Sequence, residues 1–250
     1  MPFQTVFKRY ELKYLLTEAQ KTLLLQTIAP YMEPDKYGRT TIRNLYFDTP
    51  SYLLIRRSID KPAYKEKLRL RSYSQADTDS PVFVELKKKF DHVVYKRRIP
   101  LPQQEAMAWV TGQCRCPETT QIAKEINYFL EYYGSLRPVV FLSYQREAYY
   151  AKDDPSLRIT FDDTILCRQD DLSLCSPVSG KPILPEDMVL MEVKCAGGIP
   201  LWLTRILSRE RIYKTSFSKY GTAYETMIFP QLQNNDPMMK EAAANAGKHF

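Results

Sequence analysis

Hydrophobic and polar positions alternate with a period of two through most of this chain, which is the mark of half-buried strands. From Val6 to Leu16, Arg9, Glu11 and Lys13 fall on one face, with Tyr10, Leu12 and Tyr14 on the other. From Tyr64 to Tyr73, Lys65, Lys67, Arg69 and Arg71 form one row, opposite Leu68 and Leu70. From Val82 to Lys89, Glu85, Lys87 and Lys89 oppose Val82, Val84 and Leu86. After a turn at Asp91-His92, Val94 to Ile99 carries Lys96, Arg97 and Arg98. Further strands are predicted over Thr40–Asp48 and over Pro138–Tyr150, where Val140, Leu142, Tyr144, Arg146 and Ala148 share a register. In Leu157–Asp163, Arg158, Thr160 and Asp162 oppose Ile159 and Phe161. In Met188–Lys194, Leu190, Glu192 and Lys194 oppose Val189, Met191 and Val193.

Between these strands the period changes to that of helices. Thr17-Glu18-Ala19-Gln20 is a capping-box pattern ahead of Leu23, Leu24 and Ile28, and the helix stops before Pro30. Helices are also predicted from Pro102 to Val110, from Pro117 to Tyr133 and from Pro200 to Leu207, and the segment Ser216-Phe217-Ser218-Lys219-Tyr220-Gly221 precedes or opens a last helix to about Phe229. The stripe Ile122, Ile126, Phe129 and Tyr133 is a core face. Strands adjacent in sequence predict a mainly antiparallel sheet, hence an α+β fold. The chain reads as one domain over residues 1–232, with a flexible tail over 233–250.

The row on Tyr64–Tyr73 sets the chemistry. Like charges about 7 Å apart repel by about 2 kcal/mol at an effective dielectric near 20, and by about 0.6 kcal/mol in water. Such a row is a solvated face or an anion site. Basic residues recur in register on other strands, often with one carboxylate beside them. If the sheet closes, these faces converge on a charged interior, and the helices cover the apolar outside.

Composition narrows the partners. A net charge of +7 points to an anion: nucleotide, polyphosphate, nucleic acid or membrane surface. No apolar run approaches a membrane span, and no signal-like segment opens the chain, so a cytoplasmic protein is expected. Five cysteines without regular spacing fit reduced thiols, and Cys114-Arg115-Cys116 lacks a second ligand pair for a metal. With only His92 and His249, a histidine-based site is not expected.

In order along the chain, several motifs together resemble the VTC domain. They are Arg9-x-Glu11-x-Lys13, the Tyr46-Phe47-Asp48-Thr49 turn, Lys67-x-Arg69-x-Arg71, Glu85-x-Lys87, Arg146, Arg158, Glu192-x-Lys194 and Ser216-Phe217-Ser218-Lys219-Tyr220. That domain is the polyphosphate polymerase of the vacuolar transporter chaperone complex, among the CYTH-like triphosphate tunnel metalloenzymes. The resemblance runs from about Phe7 to Phe229. It implies an antiparallel eight-stranded β-barrel, a tunnel that binds ATP and polyphosphate or triphosphate, and a divalent ion, Mn²⁺ or Mg²⁺. It makes Lys13, Arg69, Arg71, Lys87, Arg146, Arg158 and Lys219 phosphate ligands, with Ser218 beside Lys219. Lys67 and Lys194 share those registers and join the phosphate-binding set. Arg69, Arg71, Arg146, Arg158 and Lys219 form the catalytic group. Glu192 is the metal ligand; Glu11 and Glu85 are read first as counter-charges and second as alternative ligands.

Two positions depart from the family's pattern. Arg9 stands where the wider superfamily has a glutamate, which favours polyanion binding over a carboxylate-rich metal site. Ser216 stands where a lysine is common, with Lys214 two residues away. The chain carries no SPX-type sensor or membrane segment, so a regulatory or membrane partner would be a separate protein. Phosphoryl transfer needs in-line positioning and positive charge, which arginine forks and lysine point charges supply. The expected activity is a polyphosphate polymerase using ATP. A triphosphatase on the same tunnel is the alternative, followed by a non-catalytic polyanion binder; nucleic acid is not expected, because the cations lie in strand registers and not among exposed aromatics.

Overall fold

The computed structural model describes residues 10–91 and 93–235. Arg9, His92 and residues 236–250 of the expected tail lie outside the described residues, while residues 233–235, expected to belong to that tail, continue the last helix. The strands are β1 (Tyr10–Thr17), β2 (Met32–Pro34), β3 (Thr40–Asp48), β4 (Tyr64–Ser72), β5 (Pro81–Phe90), β6 (Val93–Pro102), β7 (Arg137–Ala151), β8 (Arg158–Arg168), β9 (Lys181–Pro182), β10 (Met188–Cys195) and β11 (Lys214–Thr215). The helices are α1 (Glu18–Ile28), α2 (Leu53–Ile59), α3 (Gln103–Val110), α4 (Gln121–Tyr133), α5 (Leu201–Arg209), α6 (Lys219–Ala223) and α7 (Phe229–Asn235), with a π-helical turn, Tyr224–Ile228, joining the last two. Among the described residues no helix is long and apolar enough to cross a membrane.

All ladders are antiparallel, in the order β11-β1-β10-β8-β7-β3-β4-β5-β6, with β2 beside β7 and β9 beside β8. The closed eight-stranded barrel is corrected in two respects. The sheet has eleven strands, three of them only two or three residues long, and among the described residues no ladder joins β6 to β1 or β11. Alternation marks the faces of a strand but says nothing about whether the first and last strands meet. The sheet nonetheless curls: β1 and β5 are six steps apart, yet Lys87 Nζ lies 3.7 Å from Glu11 Oε2.

The convex face is apolar, as the alternation predicts. Leu68 and Leu70 of β4 and Val82, Val84 and Leu86 of β5 pack under Trp109 of α3 and Ile126 and Phe129 of α4. On the other side Ile159, Phe161, Met191 and Val193 pack under Leu24 and Ile28 of α1 and Leu203 and Ile206 of α5. Each such side chain contributes roughly 1.5–3 kcal/mol on full burial. The Thr17 capping box is formed, with Gln20 N donating to Thr17 Oγ1 at 3.2 Å and Thr17 N to Gln20 Oε1 at 2.9 Å. Two of these helices start one residue later than expected, at Gln103 and Leu201, with Pro102 and Pro200 as their N-caps.

The concave face is divided. At one end Tyr46, Leu142 and Leu190 form a third apolar cluster with Ile55 of α2, Tyr220 of α6 and Tyr224 and Ile228 of the π turn. The same strand rows then turn charged: Leu142 is followed by Tyr144 and Arg146, and Leu190 by Glu192 and Lys194. Helices α2 and α6 therefore stopper one end of the curled sheet, and the charged half is left as a cavity.

Candidate functional site

That cavity, of about 440 Å³, is lined by ten lysines and arginines and three glutamates. A second, outer cavity of about 790 Å³ shares Glu11, Lys13, Lys67, Lys87 and Ser218 with it and adds Lys61, Lys65, Lys89 and Lys214. The strand rows put the predicted residues here because β4, β5, β1 and β10 all turn their charged faces inward. Arg69 pairs across the ladder with Glu85, Lys67 with Lys87, and Lys13 with Glu192.

Three carboxylate centres organise the cations. Glu85 is buried at 1% exposure. Arg69 donates to its Oε2 from Nη2 at 2.8 Å and Nε at 2.9 Å, Lys96 Nζ lies 2.7 Å from Oε1, and Arg98 and Arg71 stand at 3.5 and 3.8 Å. Burial alone would raise its pKa, but Arg69, Arg71 and Lys96 hold it well below the usual carboxylate range. Tyrosines brace the arginines from below: Arg69 Nη1 donates to Tyr46 Oη at 2.9 Å, and Arg71 Nη2 to Tyr144 Oη at 3.2 Å. Arg71 Nε donates to Asn44 Oδ1 at 2.9 Å.

The second centre is Asp162 with Glu192. Arg146 binds Asp162 through Nε and Nη2, both at 2.6 Å, and Lys219 Nζ donates to Asp162 Oδ2 at 2.5 Å. Glu192 meets Arg146 at 3.3 Å, Lys219 and Lys13 at 3.4 Å and Lys194 at 3.9 Å. Its pKa, too, is pushed up by burial and pulled further down, well below the ordinary value, by Lys219, Lys13 and Arg146. For Lys219, burial favours the neutral amine, but Asp162 and Glu192 outweigh it and raise the pKa.

Glu11 is the third centre, with Lys13, Lys87 and Lys194 at 3.6, 3.7 and 3.9 Å. Burial and Glu192 oppose its ionisation, yet Lys87, Lys194 and Lys13 bring its pKa down to about 2. Lys67 differs from all of these. Its Nζ donates to Ser218 Oγ at 3.2 Å, and burial, followed by Lys87, Lys13, Lys65 and Arg69, pushes its pKa down to about 7.

Ser218 is the N-cap of α6, its Oγ accepting from Gly221 N at 3.1 Å as well as from Lys67. Lys13 Nζ donates to Phe217 O at 2.8 Å, so the segment leading into α6 is tied to the tunnel wall. Asp48, read as a turn former, accepts from the backbone of Thr49, Leu54 and Ile55 and from Tyr220 Oη, which fastens α2 to α6.

Twelve of the thirteen predicted residues line this cavity, and Arg158 does not. Its guanidinium lies over the Tyr150 ring at 4.9 Å and 3.7 Å from Asp35 Oδ2, at the end of β8. Unassigned from sequence were Asp162, Lys96 and the tyrosines Tyr46, Tyr144 and Tyr220. Asp162 and Tyr144 already stood in the right registers; what was lacking was any signal that a carboxylate or a phenol there touches an arginine.

Hard divalent ions take carboxylate oxygens. Glu11 and Glu192 suit one, facing a common pair of lysines, Lys13 and Lys194, through contacts of 3.4–3.9 Å. Glu85 suits it less, because both oxygens are engaged at 2.7–2.9 Å. Among the described residues no cluster of three or more metal-ligating side chains occurs.

The fold is shared with solved proteins of low sequence identity. A Bacillus halodurans protein, provisionally assigned as an adenylate cyclase, is 14% identical with a TM-score of 0.52, over 85% of this chain and 94% of that one. A Hippeastrum protein, first assigned as an adenylyl cyclase and found to have a dominant triphosphatase activity, is 17% identical with a TM-score of 0.51, over 86% and 94%. No curated protein sequence matches the chain. The VTC domain family matches residues 8–228, with the ordered motifs and the charged tunnel inside that span, and the chain belongs to that family.

Proposed function

We propose that this protein is a divalent-metal-dependent polyphosphate polymerase, transferring the γ-phosphate of ATP to a growing polyphosphate chain inside the basic tunnel. The observation that carries this reading is the lining of the inner cavity, ten basic side chains against three glutamates. A phosphate chain replaces carboxylates as the partner of these cations, and a transferring phosphoryl group needs that charge on its equatorial oxygens. Arg69 and Arg71, braced by Tyr46, Tyr144 and Asn44, present forks toward the cavity. Arg146 and Lys219, held by Asp162, clamp the terminal phosphate at the stoppered end. Lys13, Lys67, Lys87 and Lys194 hold the rest of the chain as point charges, with Ser218 beside them. Glu192, with Glu11, would hold Mn²⁺ or Mg²⁺, which when bound neutralises phosphate charge.

Hydrolysis of a triphosphate is the second reading, favoured by the activity described for the Hippeastrum protein of the same fold. The test is incubation with ATP and Mn²⁺, with and without a short polyphosphate primer, resolving products by size beside Arg69→Ala and Glu192→Ala. A ladder of growing chains abolished by both substitutions is the expected result. Orthophosphate without a ladder would replace the polymerase by a triphosphatase, and no turnover with retained polyphosphate binding would leave a binding module.

A further inference from the structure

One lysine in the tunnel is set apart by what surrounds it. Nine of the ten basic residues lining the inner cavity have a carboxylate oxygen within 3.9 Å. The tenth is Lys67, which has none among the described residues; its Nζ donates only to Ser218 Oγ, at 3.2 Å, and lies 5.8 Å from the Tyr220 ring. Four cations face it: Lys13 from β1, Lys65 and Arg69 from its own strand and Lys87 from β5. They disfavour an ammonium there, and the same four charges attract a phosphate.

We propose that Lys67 is a covalent modification site, where the amine condenses with small aldehydes that carry a phosphate group, the phosphate lodging on the surrounding cations. The inference rests on the anion-binding reading of the tunnel but not on the polymerase. The neutral Nζ adds its lone pair to the aldehyde carbon, and the carbonyl oxygen takes up the proton that the nitrogen sheds. The resulting carbinolamine then loses water, leaving a carbon–nitrogen double bond. Carbonyl and amine are consumed, one water is released, and no oxidant or reductant is needed. Selectivity follows from the partners. Lys13, Lys87, Lys96, Lys194 and Lys219 are each ion-paired to Glu11, Glu85, Glu192 or Asp162, whereas Lys67 has no such partner and burial with its four cationic neighbours pushes its pKa down to about 7; burial also lowers Lys96, to about 8, and Lys194, but their amines stay engaged with Glu85, Glu11 and Glu192. An adduct would fill the tunnel and exclude a phosphate chain.

The test uses the full chain with pyridoxal 5′-phosphate at pH 7.5, borohydride to trap the imine, and peptide mass mapping. The expected result is one dominant adduct on Lys67, suppressed by tripolyphosphate, and formed at least tenfold more slowly with phosphate-free pyridoxal. In Lys67→Arg and Lys67→Gln, each checked for folding by circular dichroism, the tunnel adduct should be absent. Labelling spread evenly over the tunnel lysines, or equal labelling by pyridoxal, would overturn the proposal. Calorimetry with tripolyphosphate separates the two levels. Tripolyphosphate that binds while Lys67 stays unlabelled removes this inference alone; absence of tripolyphosphate binding removes the phosphate-tunnel reading itself.

Discussion

Replacing Glu85 by glutamine tests whether one buried carboxylate holds a wall of the tunnel together. Its oxygens meet Arg69, Lys96, Arg98 and Arg71 within 3.8 Å, and the side chain is 1% exposed. Glutamine keeps the shape and removes the charge. Breaking a buried ion pair by removing one partner costs about 3–5 kcal/mol, because the other charges stay desolvated. Lys96 and Arg98 are 43% and 35% exposed and can turn to solvent, so the loss is centred on Arg69 and Arg71 and should lie near the lower figure, about 3 kcal/mol. For a domain of this size that lowers Tm by roughly 6–12 °C. Urea unfolding at pH 7 measures it directly. Tripolyphosphate should restore more stability to Glu85→Gln than to wild type, because its oxygens replace the missing carboxylate. The folded pKa of Glu85 is depressed, so its contribution is complete above the unfolded value of about 4.3 and is lost as pH falls toward the folded one. The difference between the two proteins should therefore be constant above about pH 5 and narrow below about pH 4. A variant within 1 kcal/mol of wild type at pH 7, or a gap that widens in acid, would refute the reasoning.

Lys67 loses its charge as pH rises through about 7, so tripolyphosphate affinity should fall between pH 6 and 8.5, whereas Lys67→Arg should lack that phase; calorimetry at constant ionic strength reads it. A methyl group at Gly221 would stand 3.0 Å from Ser218 Cβ and 3.1 Å from its Oγ, so Gly221→Ala should displace the cap of α6, lowering stability by about 1 kcal/mol and weakening anion binding; thermal unfolding with and without tripolyphosphate checks both. Arg158 stands outside the inner cavity and Arg146 inside it, so Arg146→Ala should weaken tripolyphosphate binding at least tenfold more than Arg158→Ala, and equal losses would return Arg158 to the site.

Much of this architecture is local physics and can be read from the chain. Side chains on a strand alternate whatever the strand pairs with, so the rows Lys65-Lys67-Arg69-Arg71, Glu85-Lys87 and Glu192-Lys194 belong to one face each before any fold is known. Leu68, Val84 and Val193 are core for the same reason. The Thr17 cap is equally local, being set by residues three apart.

What the pattern along the chain leaves undecided is every relation between strands distant in sequence. That β10 lies between β1 and β8 places Glu192 opposite Lys13 on one side and Thr160 on the other, and makes it a meeting point for four cations. Asp162 becomes the anchor of Arg146 and Lys219 only because β7 pairs with β8 and α6 folds back over the concave face. The same docking makes Leu190 part of a stopper while Glu192, two residues on, lines the cavity. Arg158 shares a strand face with Asp162, yet its guanidinium turns to Asp35 and Tyr150 at the strand's end. Alternation sorts residues between two faces with a period of two and holds no information on cross-strand order, strand closure or the direction of a long side chain; those follow from which contacts the folded chain can make together.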